Sequence, residues 1–431
     1  KLSVVDLHPQ TRPFKRIQIT AFRPDPLFSR RGRVEHRSHG IAWKVGIGHG
    51  DTDTDLRRDP QGRFLVGADQ TTESRCFGEA ENLADICRAA GDAGDIERRA
   101  CHFIDGFETL LQGGNAFDAG VTALLVGGVV EQDLYGLGGE ALILVYPEAE
   151  GKVTSIVGQG WAPHQASIEW YRSRNRDLNG EGLDPAVVPG ALHGALTVLE
   201  RWGTMSFEQV AARAIDYAKN GFPLRPLTAR AIQANLEFFE AWPENRRLWL
   251  KPGGSLYAAG ETITLPALAD TLTRMVEAEQ AQAHLGRAQG VVAARDRFYT
   301  GDIAEEMVAF LQEHGAPFDL SDFAEFYARI EEPTRTEYRG YTVYKQGFGS
   351  QGPVLLQTLN ILENFDLQAM GHNSADYVHT IIEAMKLAYA DRDTYYADPD
   401  FVDVPAKGLL SKVYGTTRAA AIDMTRASVA F

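Results

Sequence analysis

The sequence predicts a layered domain of mixed helix and strand, α/β or α+β, built around one shared core. Three observations carry this reading. Apolar residues recur at helical spacing behind recognisable caps, as after Gly113-Gly114-Asn115 and after Ser206. Short apolar strands at 141–146 and 153–157 flank a polar loop, which is the pattern of a hairpin. Helical and strand segments then alternate along the chain, with no internal repeat or low-complexity tract.

Composition bounds the function classes. With 431 residues, the chain can bury a large core and hold one big domain or two to three average ones. Its 44% hydrophobic and 23% charged residues are ordinary for a soluble globular protein. No run reaches the roughly 18 apolar residues of a membrane span; the longest candidate, 119–130, is short and studded with glycine. A formal net charge of −15 argues against nucleic acid or an anionic membrane as the main partner, because both need basic surface. The locally basic stretch 12–37 reads as a solvated arm. Cys76, Cys87 and Cys101 are odd in number and show no C-x-x-C spacing, so neither a disulfide framework nor a structural zinc site is expected. His36 and His39 lie in the basic arm, and His372 and His379 are too far apart for a helical metal pair. We therefore expect no metal and no cofactor. No signal peptide is visible, but the chain also lacks an initiator Met. The compartment is left open, with a cytoplasmic location slightly ahead of a periplasmic or secreted one.

The elements follow in order. Asp51, Asp53 and Asp55 alternate like the first ligands of a calcium loop, but the sixth position is Leu56 and the twelfth Gly62, so a polar loop is expected. The segment 79–112 reads as mainly helical. Gly113-Gly114 ends it, Asn115 caps a new helix, and Asp118 meets the free N–H groups of its first turn. Gly136-Leu137-Gly138-Gly139-Glu140 is a glycine turn that lets backbone approach backbone or a ligand, and it feeds the strand 141–146. Ser206 and Gln209 form a capping box. Behind it Phe207, Val210, Ala211, Ala214, Ile215 and Ala218 mark one helix face, ended by Asn220-Gly221 with Pro223 beyond. A helix is expected at 228–240, a strand at 338–344, and a helix at 354–362 with Leu355, Leu359 and Leu362 on one face. Val378, Ile381, Ile382, Met385 and Ala388 mark a last long helix.

Several of these blocks, in the same order, resemble the γ-glutamyltransferase family of N-terminal-nucleophile (Ntn) hydrolases. They are Gly113 to Tyr146, Trp161-Ala162-Pro163, Val187-Val188-Pro189-Gly190-Ala191, and Ala214-Ile215 through Asn220-Gly221-Phe222-Pro223. Tyr299-Thr300-Gly301-Asp302 and Tyr338-Arg339-Gly340-Tyr341 come next. Gln351-Gly352-Pro353-Val354, Glu383-Ala384-Met385-Lys386, Asp398-Pro399-Asp400-Phe401 and Leu409-Leu410-Ser411 complete the set. The resemblance implies an α+β fold, a four-layer αββα sandwich completed by a smaller subunit. It implies a precursor that cuts itself before a Thr, which becomes the N-terminal nucleophile of the smaller subunit, with its own α-amine as base. No catalytic residue is then expected in this chain. The partners are the smaller subunit from the same precursor and a small-molecule amide or γ-glutamyl substrate. Family members enter the Gly-Gly-Asn helix through a shorter segment, so 1–100 is a poorly matched N-terminal region and 101–431 the larger-subunit part.

The sequence also departs from the family. Typical transpeptidases hold the substrate's α-carboxylate with an Arg on the strand before the Ala-Pro pair. Counting back from Ala162-Pro163, that position falls on Gln159, the expected substrate-binding residue. Gln cannot make the bidentate, charge-assisted pair of Arg with a carboxylate. Either the enzyme cleaves a different amide, as an acylase or amidohydrolase does, or another basic residue takes over and γ-glutamyl donors still bind. A non-catalytic relative acting as a binding module is the third reading. Gly347-Phe348-Gly349-Ser350-Gln351-Gly352-Pro353 reads as a tight turn or an anion-binding loop. Tyr395-Tyr396 reads as packing, and Asp391-Arg392-Asp393 as a salt-bridge network near the subunit interface.

Overall fold

The computed structural model describes the strand residues 18–22, 42–46, 56–58 and 64–66, and residues 101–429 apart from 177 and 179–181. The expectations at Asp51, Asp53 and Asp55, at Gly62, at Cys76 and Cys87, at His36 and His39, and for a helix over 79–100 lie outside the described residues. The chain divides into two units, Leu7–Asn82 and Leu83–Phe431 with Lys1–Asp6. In the first, β1 (Gln18–Phe22) pairs antiparallel with β2 (Ala42–Gly46), and β3 (Leu56–Arg58) with β4 (Phe64–Val66).

The second unit is α+β. Its described part begins with α1 (Cys101–Leu111), and Gly113, with φ of 97°, ends that helix. In α2 (Ala116–Val130) the expected cap is reciprocal: Asn115 Oδ1 accepts from the N–H groups of Phe117 and Asp118, and Asp118 accepts from the Asn115 N–H at 2.8 Å. β5 (Ala141–Val145) and β6 (Thr154–Gly158) form the expected hairpin, and β9 (Arg329–Glu331) adds to the other edge of β6. The register pairs Ala141 with Gly158 and Val157 with Arg329. Against this antiparallel sheet lies α3 (Ala191–Trp202), buried over its first nine residues. After α3 in the chain come α4 (Phe207–Asn220), capped by Ser206 and Gln209 as expected, then α5 (Pro226–Ala234) and α6 (Leu236–Ala241). The outer helices α7 (Pro266–Ala281), α8 (Arg287–Tyr299) and α9 (Asp302–Glu313) close this side. β7 (Phe222–Pro223) pairs with β8 (Thr262–Ile263), and α10 (Leu320–Ala324) leads into β9.

Asp118 does more than cap. Wholly buried, it accepts from the N–H groups of Thr204 and Met205 and from the Thr204 hydroxyl at 2.6 Å. Asn115 Nδ2 donates to the Trp202 carbonyl at 2.6 Å. One helix start therefore ties α2 to the α3–α4 connection, and short charge-assisted bonds of this kind are the strong ones.

Four expectations need correction. The single helix over 228–240 is two helices. Asn235 separates them and its Nδ2 donates back to the Ala231 carbonyl, the competing local bond that makes Asn a helix breaker. The strand over 338–344 is a tight hairpin of β10 (Thr334–Tyr338) and β11 (Tyr341–Lys345). Arg339 and Gly340 both have positive φ, 49° and 86°, as a two-residue hairpin turn demands. Of the face expected on α11 (Gly352–Leu362), Leu362 is buried and Leu359 half-buried, but Leu355 stands exposed, and Val354, Leu356, Gln357 and Ile361 are buried on other sides of the helix. The core is also not one. Ile361, Leu362, Ala384, Leu387 and Ala419 form an apolar cluster apart from the main one, where α11 meets α12 (Ala375–Tyr395) and α13 (Lys412–Ala419). α12 buries Ala384, Leu387 and Ala388, whereas Val378, Ile382 and Met385 stand exposed as a stripe on its other side.

Two predictions follow from the packing of α1 and α2. Asp118→Ala strands several buried donors and costs about 3–5 kcal/mol, read by chemical denaturation; Asp118→Asn costs less. Asp105 is buried, and burial first of all raises its carboxyl from 3.8 to about 7, against the opposing pull of Arg213. The folded state then holds a proton that the unfolded chain releases. Stability therefore falls as pH rises from about 4 to about 7 and is level above that. Asp105→Asn removes this slope and raises the melting temperature more at pH 8 than at pH 4.

Candidate active site

Three glycine-bearing segments converge where β6 ends. The first is the turn at 136–140, closed by the Gly139 N–H to the Gly136 carbonyl at 2.9 Å. Its Gly139 carbonyl accepts from both Gly190 and Ala191, at 2.9 and 2.8 Å, and so satisfies donors that a helix start leaves free. The second is Gly158-Gln159-Gly160. A Cβ on Gly158 would lie 2.8 Å from the carbonyl oxygens of both Ala141 and Gly190, and one on Gly160 would overlap the Val188 carbonyl. The third, Val188-Pro189-Gly190, is fastened by the Val188 N–H to the Trp161 carbonyl at 3.0 Å. Backbone lies directly on backbone here, which only glycine allows.

Buried aromatic and polar groups brace this junction. The Tyr299 hydroxyl donates to the Pro189 carbonyl at 2.7 Å and accepts from the His193 N–H at 3.0 Å. His193 Nδ1 accepts from the Ala328 N–H at 3.1 Å, tying α3 to the residue before β9. Burial, with help from Arg295, lowers the His193 imidazole to about 4, so it is neutral near pH 7 and free to accept that bond. The Trp161 ring packs edge-on against Phe326 and Tyr327, at 5.5 and 5.1 Å. Beyond Pro163, His164 meets buried Asp322 through both its backbone N–H, at 2.8 Å, and its Nδ1, at 2.6 Å.

Gln159 sits in this junction, half-buried between the two glycines. Among the described residues its side chain has no hydrogen-bond partner. The other residues singled out from sequence go elsewhere. In the loop at 347–353, the Ser350 N–H donates to the Gly347 carbonyl at 3.0 Å and the Gly352 N–H to Ser350 Oγ at 3.0 Å, which makes it a tight turn before α11. Asp391 and Arg392 do not share one network. Asp391 is buried and meets Arg418 at 2.8 Å and the Tyr414 hydroxyl at 2.9 Å, while Arg392 turns outward to Asp393 and Gln351. Adjacent helix residues point about 100° apart, so the split follows from geometry. Tyr396 packs on Phe348 at 4.7 Å and bonds Gln357, as packing would have it, whereas Tyr395 is exposed. Sequence reasoning missed the His193–Tyr299 brace, whose members lie 106 residues apart.

The comparisons agree with this geometry. The sequence profile of the gamma-glutamyltranspeptidase family matches residues 105–430. The chain belongs to that family. The glutathione hydrolase-like YwrD proenzyme of Bacillus subtilis is 33% identical over 310 residues, covering 72% of this chain and 56% of that protein. The acylase ACY 1 proenzyme of a Pseudomonas strain is 33% identical over 75% of this chain and 57% of that protein. The crystal structure of Helicobacter pylori gamma-glutamyltranspeptidase superposes with a TM-score of 0.68 at 27% identity, covering 75% of this chain and 90% of that one. The α+β fold is thus the Ntn-hydrolase fold of the gamma-glutamyltranspeptidases. The chain spans a little over half the length of these curated relatives.

The junction predicts a sharp contrast between its glycines. Gly160→Ala forces backbone apart and destabilises by about 1–3 kcal/mol, whereas Gly138→Ala, with open space around it, stays within about 0.5 kcal/mol of the parent. Thermal melts of the two variants check this.

Proposed function

We propose that this chain is the larger subunit of an amide-cleaving Ntn hydrolase, made as one precursor with its smaller subunit. The observation that carries the reading is the family match over 105–430; on this reading the strand end at Gly158-Gln159-Gly160 is the substrate-facing edge. The relatives' names support it: they are proenzymes, one glutathione hydrolase-like and one an acylase. The nucleophile is the Thr that self-cleavage exposes at the start of the smaller subunit. Its hydroxyl attacks the amide carbon while its α-amine takes the proton; the amine then passes that proton to the leaving nitrogen, the C–N bond of the tetrahedral adduct breaks, and an acyl-enzyme ester remains. Water or an acceptor amine then takes the acyl group, and N–H donors hold the oxyanion at each tetrahedral stage.

The exposed stripe Val378, Ile382 and Met385 on α12 supports a partner subunit. With Tyr389, Tyr414 and Arg418, Ile382 and Met385 line an open groove of about 830 Å³. Apolar surface of this kind, rimmed by charge, marks an interface. The smaller subunit is its proposed occupant.

Gln159 contacts the acyl group as a neutral amide and so favours an acyl group other than the typical γ-glutamyl one. The second reading, a γ-glutamyl transferase or glutathione hydrolase, is favoured by the relative's name. Acyl anilides test the proposal. The processed enzyme cleaves one, and Gln159→Arg raises kcat/KM for the γ-glutamyl anilide by about tenfold or more. Failure to cleave any acyl anilide overturns the catalytic reading. Unchanged γ-glutamyl kinetics in the variant removes Gln159 from the acyl site.

A further inference from the structure

The last described stretch of the chain is held against α12 by its main chain. Ile422 packs on the smaller apolar cluster, and the Asp423 side chain closes a turn by accepting from the N–H and the hydroxyl of Thr425, at 2.9 and 2.6 Å. Three polar residues of α12 grip the backbone. His379 Nε2 donates to the Asp423 carbonyl at 2.9 Å, and Lys386 Nζ donates to the Ser428 carbonyl at 2.6 Å. The two carboxylate oxygens of Glu383 accept from the Ser428 N–H at 3.3 and 3.4 Å. Spaced i, i+4 and i+7, the three side chains share one face of the helix.

Two features set this grip apart from ordinary packing. Glu383 is buried, and a carboxylate is rarely buried without partners that replace its lost water. Its partners here are Lys386, at 2.5 Å, and the main chain of Ser428. A buried ion pair adds little net stability, so stability alone does not account for this one. The grip also reads main chain, and the side chains of Met424 and Val429 stand exposed. The path of the tail past Asp423 is therefore set by polar groups of α12. Lys386 lines the open groove together with Ile382 and Met385, so the tail is fixed at the rim of that groove.

We infer that Glu383 and Lys386 are positioning residues for self-cleavage, fixing the chain at Ser428 on its way to the scissile bond. The inference rests on the precursor reading above and deepens it. On that reading the chain runs on from here to the Thr. The Thr hydroxyl oxygen attacks the carbonyl carbon of the peptide bond before it, and the hydroxyl proton passes to the nitrogen as the C–N bond breaks. Water then splits the resulting ester into a carboxylic acid on this chain and a free hydroxyl on the Thr. The rate of such a step follows the fraction of time the hydroxyl stands in line with the carbonyl. A chain anchored at Ser428 has a shorter free span than one anchored at Asp423, and each doubling of a free span costs about threefold in closure. Releasing the grip therefore slows cleavage without touching the reacting groups.

Full-length precursor made by cell-free translation tests this, with intact mass followed over time. Lys386→Met and Glu383→Gln lengthen the half-time of cleavage about threefold or more. Lys386→Arg, which keeps the charge and the donor, stays within about twofold of the parent. Ser428→Pro deletes the N–H that Glu383 accepts and leaves α12 untouched, so it slows cleavage even where a helix variant misfolds. Once cut, every variant keeps the parental kcat/KM for an acyl anilide within about twofold, a split that a loosened core does not give. Parental half-times in Lys386→Met and Ser428→Pro overturn the proposal. So does a Lys386→Arg variant as slow as Lys386→Met, or a kcat/KM that falls in step with the cleavage rate. A parent that cuts no faster than its variants removes the grip alone, whereas a parent that never cuts removes the precursor reading and the grip with it.

Discussion

Direct backbone contact between Gly158 and Gly190 is the constraint on which the rest of the site depends. β6 is the middle strand of the described three-stranded sheet, and α3 is the helix that the sheet rests on. With side chains at 158, 160 or 190, strand end and helix start would separate by an atom's width. The Gly139 carbonyl could then no longer close the α3 N-terminus, and Gln159 would leave its place between two fixed glycines. The Tyr299 and His193 bonds stiffen the same contact from the helix side and carry it on to Ala328, one residue before Arg329. Position at the strand end is thus set by main chain rather than by side-chain packing.

Asp118 plays the corresponding part in the helical layer. A single buried carboxylate closes its own helix start and gathers the donors of the following connection. The second apolar cluster behaves differently. It holds α11, α12 and α13 together but covers only half of α12, and the uncovered half is apolar. A chain that folds alone rarely leaves such a stripe in water. The main core underlies the glycine junction, and the smaller cluster lies behind the stripe proposed as the seat of a smaller subunit.

Much of this was legible in the sequence because local chemistry decided it. Asn115, Ser206 and Gly221 cap helices wherever such residues precede or follow an apolar period, and the hairpin of β5 and β6 follows from two apolar runs around a polar loop. What failed was decided by residues far away or by a single turn. Arg339 and Gly340 fold back one apparent strand because both adopt positive φ, and Asn235 breaks a helix through one side-chain bond. Periodicity marked the apolar residues of α12 but cannot say which face a neighbour covers. At the site, the position of Gln159 could be counted from Ala162-Pro163. Tyr299, 106 positions from His193, could not be placed against it from sequence.

Intact mass and N-terminal sequencing of the purified full-length gene product test the central claim most directly. The account predicts two chains from one precursor, the smaller beginning with Thr. A single uncut chain, stable on incubation, would contradict it and leave a binding module with the fold of an enzyme.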